Sequence, residues 1–202
     1  MPIALTVAQL AAEYTFEDAV FSGVNADTEP GIFADREFSR CTFRSIQLHS
    51  TSWKSTKLED CVLENCDLSR AQTAGLALRE VTFKDCKLMG IDWSSVQSYP
   101  SVSFERCNLS YASFGRLALN KTRFTDCVLT EANFIETQLA DAIFDGCELS
   151  GTRFERCDLR RASFADTRGL LLDPKSNNVK GTRIPVDAAL RLAESLGLRI
   201  TQ

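Results

Sequence analysis

The sequence has 202 residues and a formal net charge of −4, with 27 Asp and Glu against 23 Lys and Arg. This length suits one ordinary globular domain, and the negative balance argues against direct binding of nucleic acid or of an anionic membrane surface. No apolar run reaches the roughly 20 residues of a membrane span. The first basic residue is Arg36, so the N-terminus lacks the basic region of a signal peptide. The sequence therefore predicts a cytoplasmic protein.

Residues 1–30 are predicted to form a lead-in to the main domain. Within it, "YTFEDAVF" has the pattern of two degenerate copies of the repeat that follows. The next stretch, "SGVNADTEPG", has the composition of a loop, because Pro and Gly interrupt regular structure.

From Phe38 to Phe164 the sequence repeats with a period of five residues. The frame runs to Trp93, slips by one residue, and restarts at Phe104. Of its 25 centre positions, 24 hold Leu, Phe or Trp, although these types supply only 38 of the 202 residues; Thr73 is the exception. The residue two positions before each centre is mostly Cys, Ala, Thr or Val. Two side chains in every five are therefore predicted to point inward, one large and one small.

A backbone that turns a corner every five residues closes a square every twenty, which predicts an all-β solenoid. Successive squares would stack about 4.8 Å apart, like parallel strands, and satisfy each other's backbone groups. Repeats fill residues 31–95 and 102–168, and Thr73 leaves the packing of its coil open. Like residues should recur at a spacing of twenty. They do so in five sets: Phe104, Phe124, Phe144 and Phe164; Phe114, Phe134 and Phe154; Cys107, Cys127 and Cys147; Cys41 and Cys61; Cys66 and Cys86.

Residues 96–101 separate the two runs of repeats. Their Ser, Tyr and Pro residues predict a small loop at the register slip. The loop is either a tolerated surface variation or a partner contact made by Gln97, Tyr99 and Pro100, and the sequence leaves both interpretations open.

Residues 169–202 abandon the period and form a predicted C-terminal module. A helix is expected over about residues 185–196, because Pro185 suits its first turn and Gly197 its end. This helix would be amphipathic. The module either caps the last coil, whose core and strand edges would otherwise be exposed, or forms a dimer interface. The apolar residues available for a dimer contact are Leu190, Leu192, Leu196 and Leu198.

The sequence offers no candidate active site. His49 is the single histidine and follows the centre Leu48, so it should lie outside its coil, which leaves no His-based proton relay. No glycine-rich phosphate loop is present, and the eight cysteines occupy inward positions without the CxxC spacing of a zinc site. We therefore expect no catalysis, no cofactor and no metal, with eight buried, reduced thiols.

The units "CDLSR", "ANFIE", "CELSG" and "CDLRR" resemble those of the pentapeptide-repeat family over about residues 31–168. The family's fold is a right-handed quadrilateral β-helix. The C-terminal module resembles that of the Qnr, MfpA and AlbG group, and "MGIDWSSVQSYPSVSFERCNL" resembles the middle of AlbG-type albicidin-resistance proteins. The resemblance implies a homodimer joined through its C-terminal module. It also implies a rod that mimics DNA, binds DNA gyrase or topoisomerase IV, and protects the enzyme from quinolones or albicidin.

Charge separates the four predicted faces of the second run of repeats. Between Val102 and Asp166, two adjacent faces each sum to −2, and the other two each sum to +1. A cationic groove built for phosphates would accept such a rod, whereas a solvated surface is the simpler interpretation of any single carboxylate. The candidate partner-binding residues are Glu105, Asp126, Asp145 and Asp166 on one face, and Glu131 and Glu148 on its neighbour.

Two functions therefore compete. The first is a DNA mimic that binds a type II topoisomerase and gives antibiotic resistance or self-immunity. The second is a non-enzymatic interaction scaffold without topoisomerase binding, because a fold alone does not determine a function. The net charge of −4 is modest for a DNA mimic.

Overall fold

The computed structural model describes residues 4–5, 7–23 and 30–200. Its strands are short and follow one another through tight corners. In this described part the strands are, in chain order, β1 (Ala4–Leu5), β2 (Thr15–Glu17), β3 (Val20–Ser22), β4 (Glu37–Ser39), β5 (Thr42–Arg44), β6 (Lys57–Glu59), β7 (Val62–Glu64), β8 (Ala77–Arg79), β9 (Val81–Lys84), β10 (Val102–Glu105), β11 (Arg123–Thr125), β12 (Asn133–Ile135), β13 (Ile143–Asp145) and β14 (Arg153–Glu155). The helices are α1 (Val7–Ala12) and α2 (Val186–Ser195), and a 3₁₀ turn covers Trp93–Ser95.

The strands stack in parallel, with each coil of the chain lying on the one before. Strand β11 pairs with β13 and places Phe124 beside Phe144, a step of twenty residues. Eight strands join into one sheet in this way. Parallel single-residue bridges, such as the one between Val128 and Glu148, continue the stacking where no strand forms. The result is the quadrilateral β-solenoid that the period of five predicts.

The solenoid has four walls, and each wall has its own ladder of buried centre residues. The first wall has the centres Phe43, Leu63, Phe83, Phe104, Phe124, Phe144 and Phe164. The second wall has Leu48, Leu68, Leu88, Leu109, Leu129 and Leu149. The third wall has Phe33, Trp53, Thr73, Trp93, Phe114, Phe134 and Phe154. The fourth wall has Phe38, Leu58, Leu78, Leu119, Leu139 and Leu159.

Aromatic stacking holds the later coils together. On the third wall the ring of Phe134 lies 4.7 Å from that of Phe114 and 5.0 Å from that of Phe154, in nearly parallel planes. Across the interior it meets Phe124 and Phe144 edge-on, at 6.0 and 5.8 Å. Both arrangements are favourable for aromatic rings, and burying each Phe contributes roughly 1.5–3 kcal/mol. The predicted ladders of like residues are confirmed.

The register slip adds one residue to a coil and leaves the ladder of the first wall intact, whereas the fourth wall has no Leu or Phe centre between Leu78 and Leu119. Phe83 pairs with Phe104, twenty-one residues further on, so residues 96–101 absorb the extra residue. The thiol of Cys86 consequently interacts with that of Cys107. The spacing of twenty predicts two separate cysteine ladders on this wall. In the structure they form one ladder of five, made of Cys66, Cys86, Cys107, Cys127 and Cys147.

Thr73, the exception to the repeat, is buried on the third wall, where its neighbours in the ladder are Trp53 and Trp93. A small side chain at this level leaves room for the two larger indoles. The Thr73 hydroxyl donates to the Asp92 carbonyl at 2.7 Å and lies 2.8 Å from the hydroxyl of Ser95. The coil that the sequence leaves open is therefore packed, and the buried Thr73 hydroxyl has hydrogen-bond partners.

Most corners of the square hold a residue in the left-handed backbone conformation, two positions after the centre. In the described chain, 21 non-glycine residues have φ between 50° and 63°. Each such residue costs roughly 1–2 kcal/mol relative to ordinary backbone, so the stacked ladders must impose the corner. The sequence does not predict this feature, because no regular glycine marks it.

Helix α1 covers the N-terminal end, and the sequence does not predict this helix. Its Leu10 is fully buried, and Arg36 donates from Nε to the Leu10 carbonyl at 3.0 Å. The two degenerate repeats form β2 and β3, with Phe16 and Phe21 buried. The loop expected in "SGVNADTEPG" lies mostly outside the described residues. Neither helix of the described chain has the length and apolar character needed to span a membrane.

Candidate partner-binding surface

The six predicted carboxylates lie on the outside of the first and second walls, in consecutive coils. The backbone N–H of Asp126 donates to the Asp145 carbonyl at 2.8 Å, and that of Glu131 donates to the Ser150 carbonyl at 3.0 Å. The fold therefore gathers these residues on two adjacent walls. We call them the acidic surface: Glu105, Asp126, Asp145 and Asp166 on the first wall, and Glu131 and Glu148 on the second.

Most of the acidic surface is not neutralised by ion pairs. Within the described residues, Asp126, Glu131, Asp145 and Asp166 form no ion pair. Glu148 instead accepts hydrogen bonds from the hydroxyl and, at 2.9 Å, the backbone N–H of Ser150. These bonds hold the pKa of the Glu148 carboxyl below its ordinary value. The surface thus presents charged, accessible oxygens to a partner.

Glu105 is different, because two cations neutralise it. It pairs with Arg106, and Lys84 Nζ lies 3.7 Å from its second carboxylate oxygen. The Arg106 guanidinium also binds Asp85, at 2.7 and 2.9 Å, and these bonds hold the pKa of the Asp85 carboxyl below its ordinary value. Arg106 is therefore directed away from Asp126, its other neighbour in the ladder.

The third and fourth walls of the same coils carry carboxylates that are paired. Arg156 Nε lies 3.1 Å from Glu136, and Arg161 Nη2 lies 2.6 Å from Asp141. The bond from Arg161 holds the pKa of the Asp141 carboxyl below its ordinary value. These residues occupy the corner two positions after a centre, where successive coils alternate in charge. The alternating ladders are Arg116, Glu136 and Arg156 on the third wall, and Lys121, Asp141 and Arg161 on the fourth.

At the corresponding corners of the acidic surface, glycine occupies the place of the arginine. Gly146 follows Asp126, and Gly151 follows Glu131, one coil further along. A Cβ atom placed on Gly151 would meet Glu131 Oε1 at 2.5 Å, so the carboxylate of Glu131 extends over the glycine. The absence of a cationic side chain at these two corners explains why the first and second walls stay acidic.

Two basic residues limit the acidic surface. Arg123 is exposed on the first wall, and Arg168 stacks beside Glu148 in the parallel ladder of the second wall. Including Arg168, six carboxylates oppose Arg106, Arg123 and Arg168 on these walls, a net charge of −3. Arg168 lies just beyond Asp166, and it reduces the combined charge of these two walls from −4 to −3.

The predicted loop lies away from the second wall. The backbone N–H of Ala118 donates to the Ser98 carbonyl at 3.1 Å, which puts the loop on the fourth wall. Gln97 and Tyr99 are exposed, whereas Pro100 is buried. Beside them a cleft of about 420 Å³ is lined by Lys121 and Asn120. The loop thus adjoins the first wall but is not part of the acidic surface.

Helix α2 lies against the last coil through Ala188 and the half-buried Leu192. A cleft of about 600 Å³ separates part of the helix from Phe154. The other three predicted dimer residues, Leu190, Leu196 and Leu198, are exposed. Ala188 and Leu192 therefore face the solenoid, whereas Leu190 and the leucines that follow the helix are exposed.

The interior of the solenoid contains the cysteine side chains. All eight cysteines are unpaired and buried. Hydrogen bonding to Cys41 together with burial raises the pKa of the Cys61 thiol well above its ordinary value, and Cys107 acts in the same way on Cys127. Among the described residues, no group of three or more His, Cys, Asp or Glu side chains is placed to hold a metal ion.

Comparisons with known proteins bear on the repeat region and on the fold. Residues 97–169 match the model of the pentapeptide repeat region. One trypsin-treated variant of QnrB1, a plasmid-mediated fluoroquinolone resistance protein, matches with a TM-score of 0.63 and 20% identity over 100% of both chains. Another gives a TM-score of 0.52 and 18% identity, over 93% of this chain and 100% of that chain. No curated protein matches the sequence.

Residues 97–169 therefore match a pentapeptide repeat region, and the chain has the fold of a pentapeptide-repeat β-helix. At these identities the likeness to QnrB1 shows a shared fold. The resemblance to AlbG-type proteins stays a prediction.

Proposed function

We propose that this protein binds a type II topoisomerase, DNA gyrase or topoisomerase IV, at the surface that holds duplex DNA, and protects the enzyme from a poison. The observation that carries the proposal is the acidic surface, where carboxylates without ion pairs follow two adjacent walls of a rigid rod. A cationic groove attracts such a rod through the same electrostatics that attract phosphates. The fluoroquinolone resistance named for QnrB1 supports the proposal by analogy of fold.

The dimensions of the solenoid support a dimer. Eight strands stack on the first wall, so at about 4.8 Å per coil the rod is roughly 34 Å long. Duplex DNA completes one turn in about the same distance. A symmetric pair of rods joined through α2 would match a longer DNA segment across the twofold axis of the enzyme. Leu190, Leu196 and Leu198 are the exposed side chains available for that contact.

In this proposal the protein acts by occupying the DNA-binding surface of the topoisomerase and not by catalysis. No cofactor or metal is part of the proposal, and the thiols serve as small apolar core groups. The proposal places the protein in the cytoplasm, where a bacterial topoisomerase meets its DNA. Gln97 and Tyr99 would extend the contact from the fourth wall, with Pro100 holding the loop in place.

Supercoiling and drug-induced cleavage assays with purified gyrase and topoisomerase IV test the proposal. Wild-type protein should reduce the cleavage caused by a fluoroquinolone or by albicidin. The variant Asp126→Asn/Glu131→Gln/Asp145→Asn should lose this effect. A matched control, Glu136→Gln/Asp141→Asn, removes paired carboxylates from the other walls and should keep it. Wild-type protein without effect on either enzyme would contradict the proposal and favour an interaction scaffold.

A further inference from the structure

Two exposed apolar side chains lie within the acidic surface. Tyr111 is 61% exposed and Val128 is 39% exposed, both on the second wall. They belong to consecutive coils, since the N–H of Tyr111 donates to the Thr130 carbonyl at 3.0 Å, and that of Leu109 donates to the Val128 carbonyl at 2.7 Å. Tyr111 precedes Glu131 in the corner ladder, and Val128 pairs directly with Glu148.

The structure gives no packing reason for these two residues. Tyr111 has φ of 62°, a conformation that is unfavourable for a bulky side chain, and its ring points into solvent. The remaining exposed large apolar residues of the described chain lie at the ends or in the loop. They are Tyr14, Tyr99, Leu171, Val186, Leu190, Leu196, Leu198 and Ile200. Tyr111 and Val128 are thus the exposed apolar pair on the regular walls.

We propose that Tyr111, supported by Val128, is a specificity contact that enters an apolar recess in the cationic DNA-binding surface of the topoisomerase. This inference rests on the proposed function. The flanking carboxylates of Glu131 and Glu148 select a partner surface of positive charge. Charge alone would attract many DNA-binding proteins, whereas a buried aromatic anchor contributes affinity only where a matching recess exists.

The two kinds of contact have different kinetic signatures. Surface charges accelerate association and make affinity depend on salt, whereas a buried apolar anchor mainly slows dissociation. Tyr111→Asn removes the ring and retains a residue type that tolerates the left-handed conformation. Tyr111→Phe keeps the ring. Tyr14→Asn is the matched control, because Tyr14 is an exposed tyrosine near the N-terminal end of the rod.

Surface plasmon resonance of each variant on immobilised gyrase and topoisomerase IV, across a salt series, tests the inference. Tyr111→Asn should raise Kd at least about tenfold through faster dissociation, with the salt dependence unchanged. Tyr111→Phe and Tyr14→Asn should bind like wild type. By contrast, Asp126→Asn/Glu131→Gln should weaken the salt dependence itself. Circular dichroism melting of every variant verifies that the fold is intact.

The outcomes separate the two proposals. If wild-type protein binds neither enzyme, the proposed function fails, and this inference fails with it. If wild type binds and Tyr111→Asn binds equally well, the inference alone is overturned. A loss of affinity in Tyr111→Asn that appears only in association rate, or that disappears at high salt, overturns it as well.

Discussion

The coils between residues 102 and 168 present two pairs of walls with the same interior and different exteriors. Phe124 on the first wall and Phe134 on the third are both fully buried and meet edge-on at 6.0 Å. Outside, the third and fourth walls carry arginine–carboxylate ladders, while the first and second walls carry carboxylates next to glycine. Because the fold depends on inward positions, the outward ones are free to differ. The charge of each wall is therefore set independently of the fold.

This comparison predicts that damage to the core removes both pairs of walls together. Phe134→Ala deletes a ring stacked between Phe114 and Phe154, and should lower the free energy of unfolding by about 3–5 kcal/mol through lost burial and a cavity. Urea unfolding monitored by circular dichroism measures the loss. Phe134→Leu, which keeps most of the volume, should cost less. A change below about 1 kcal/mol in Phe134→Ala would mean that the ring does not support the core.

The interior was predictable because burial imposes a period. The centre ladders and the parallel stacking follow from positions that must be apolar, and helix α2 follows from apolar residues at helical spacing between Pro185 and Gly197. The corner ladders were readable at a spacing of twenty, as Arg116, Glu136 and Arg156 show. The net charge of a whole face does not reveal these ladders, because the net charge contains no information on which residues are neighbours. Arg106 binds Asp85 and not Asp126, its other neighbour in the ladder. This preference depends on side-chain geometry, which the sequence period does not predict.

The C-terminal module should control how much acidic surface one assembly presents. Leu190→Asp/Leu196→Asp places charge on the exposed face of α2, so we expect a folded monomer, because the change is confined to the end of the rod. The monomer should lose topoisomerase protection, since half of the DNA-like length is gone. Light scattering and the cleavage assay on one sample measure both effects. A monomeric wild type would contradict the dimer, and a fully protective monomeric variant would contradict the length argument.

The difference between the walls can also be removed by introducing on the second wall the arginine–carboxylate pairing that the third wall has. Gly151→Arg places a guanidinium beside Glu131, as Arg156 lies beside Glu136. Topoisomerase binding should weaken about tenfold, although every carboxylate remains. The left-handed backbone, with φ of 73°, adds a stability cost of roughly 1–2 kcal/mol. Gly75→Arg has the same backbone cost on the third wall and should bind like wild type. Equal binding by Gly151→Arg would show that unpaired charge is not what the partner recognises.

The smallest expected effect concerns the paired walls and their dependence on pH. Arg161 holds the pKa of the Asp141 carboxyl below its ordinary value, so the folded protein binds the Asp141 proton less readily than the unfolded chain does. The pair therefore contributes stability above the ordinary pKa of Asp, and this contribution is lost as the pH falls through the lowered pKa. Arg161→Gln should lower Tm slightly at neutral pH, and the difference from wild type should shrink to nothing in acid.

Melting curves of Arg161→Gln and wild type across a pH series measure this difference, with Asp145→Asn as the comparison from the acidic surface. Asp145 has no ion pair in the described chain, so its replacement should not lower Tm at neutral pH. A Tm difference for Arg161→Gln that grows toward low pH would have the wrong sign for a carboxylate stabilised by arginine. An equal loss in Asp145→Asn would show that the first wall is neutralised as well. Either result would remove the electrostatic contrast between the walls, which is the physical basis for assigning the partner to one side of the rod.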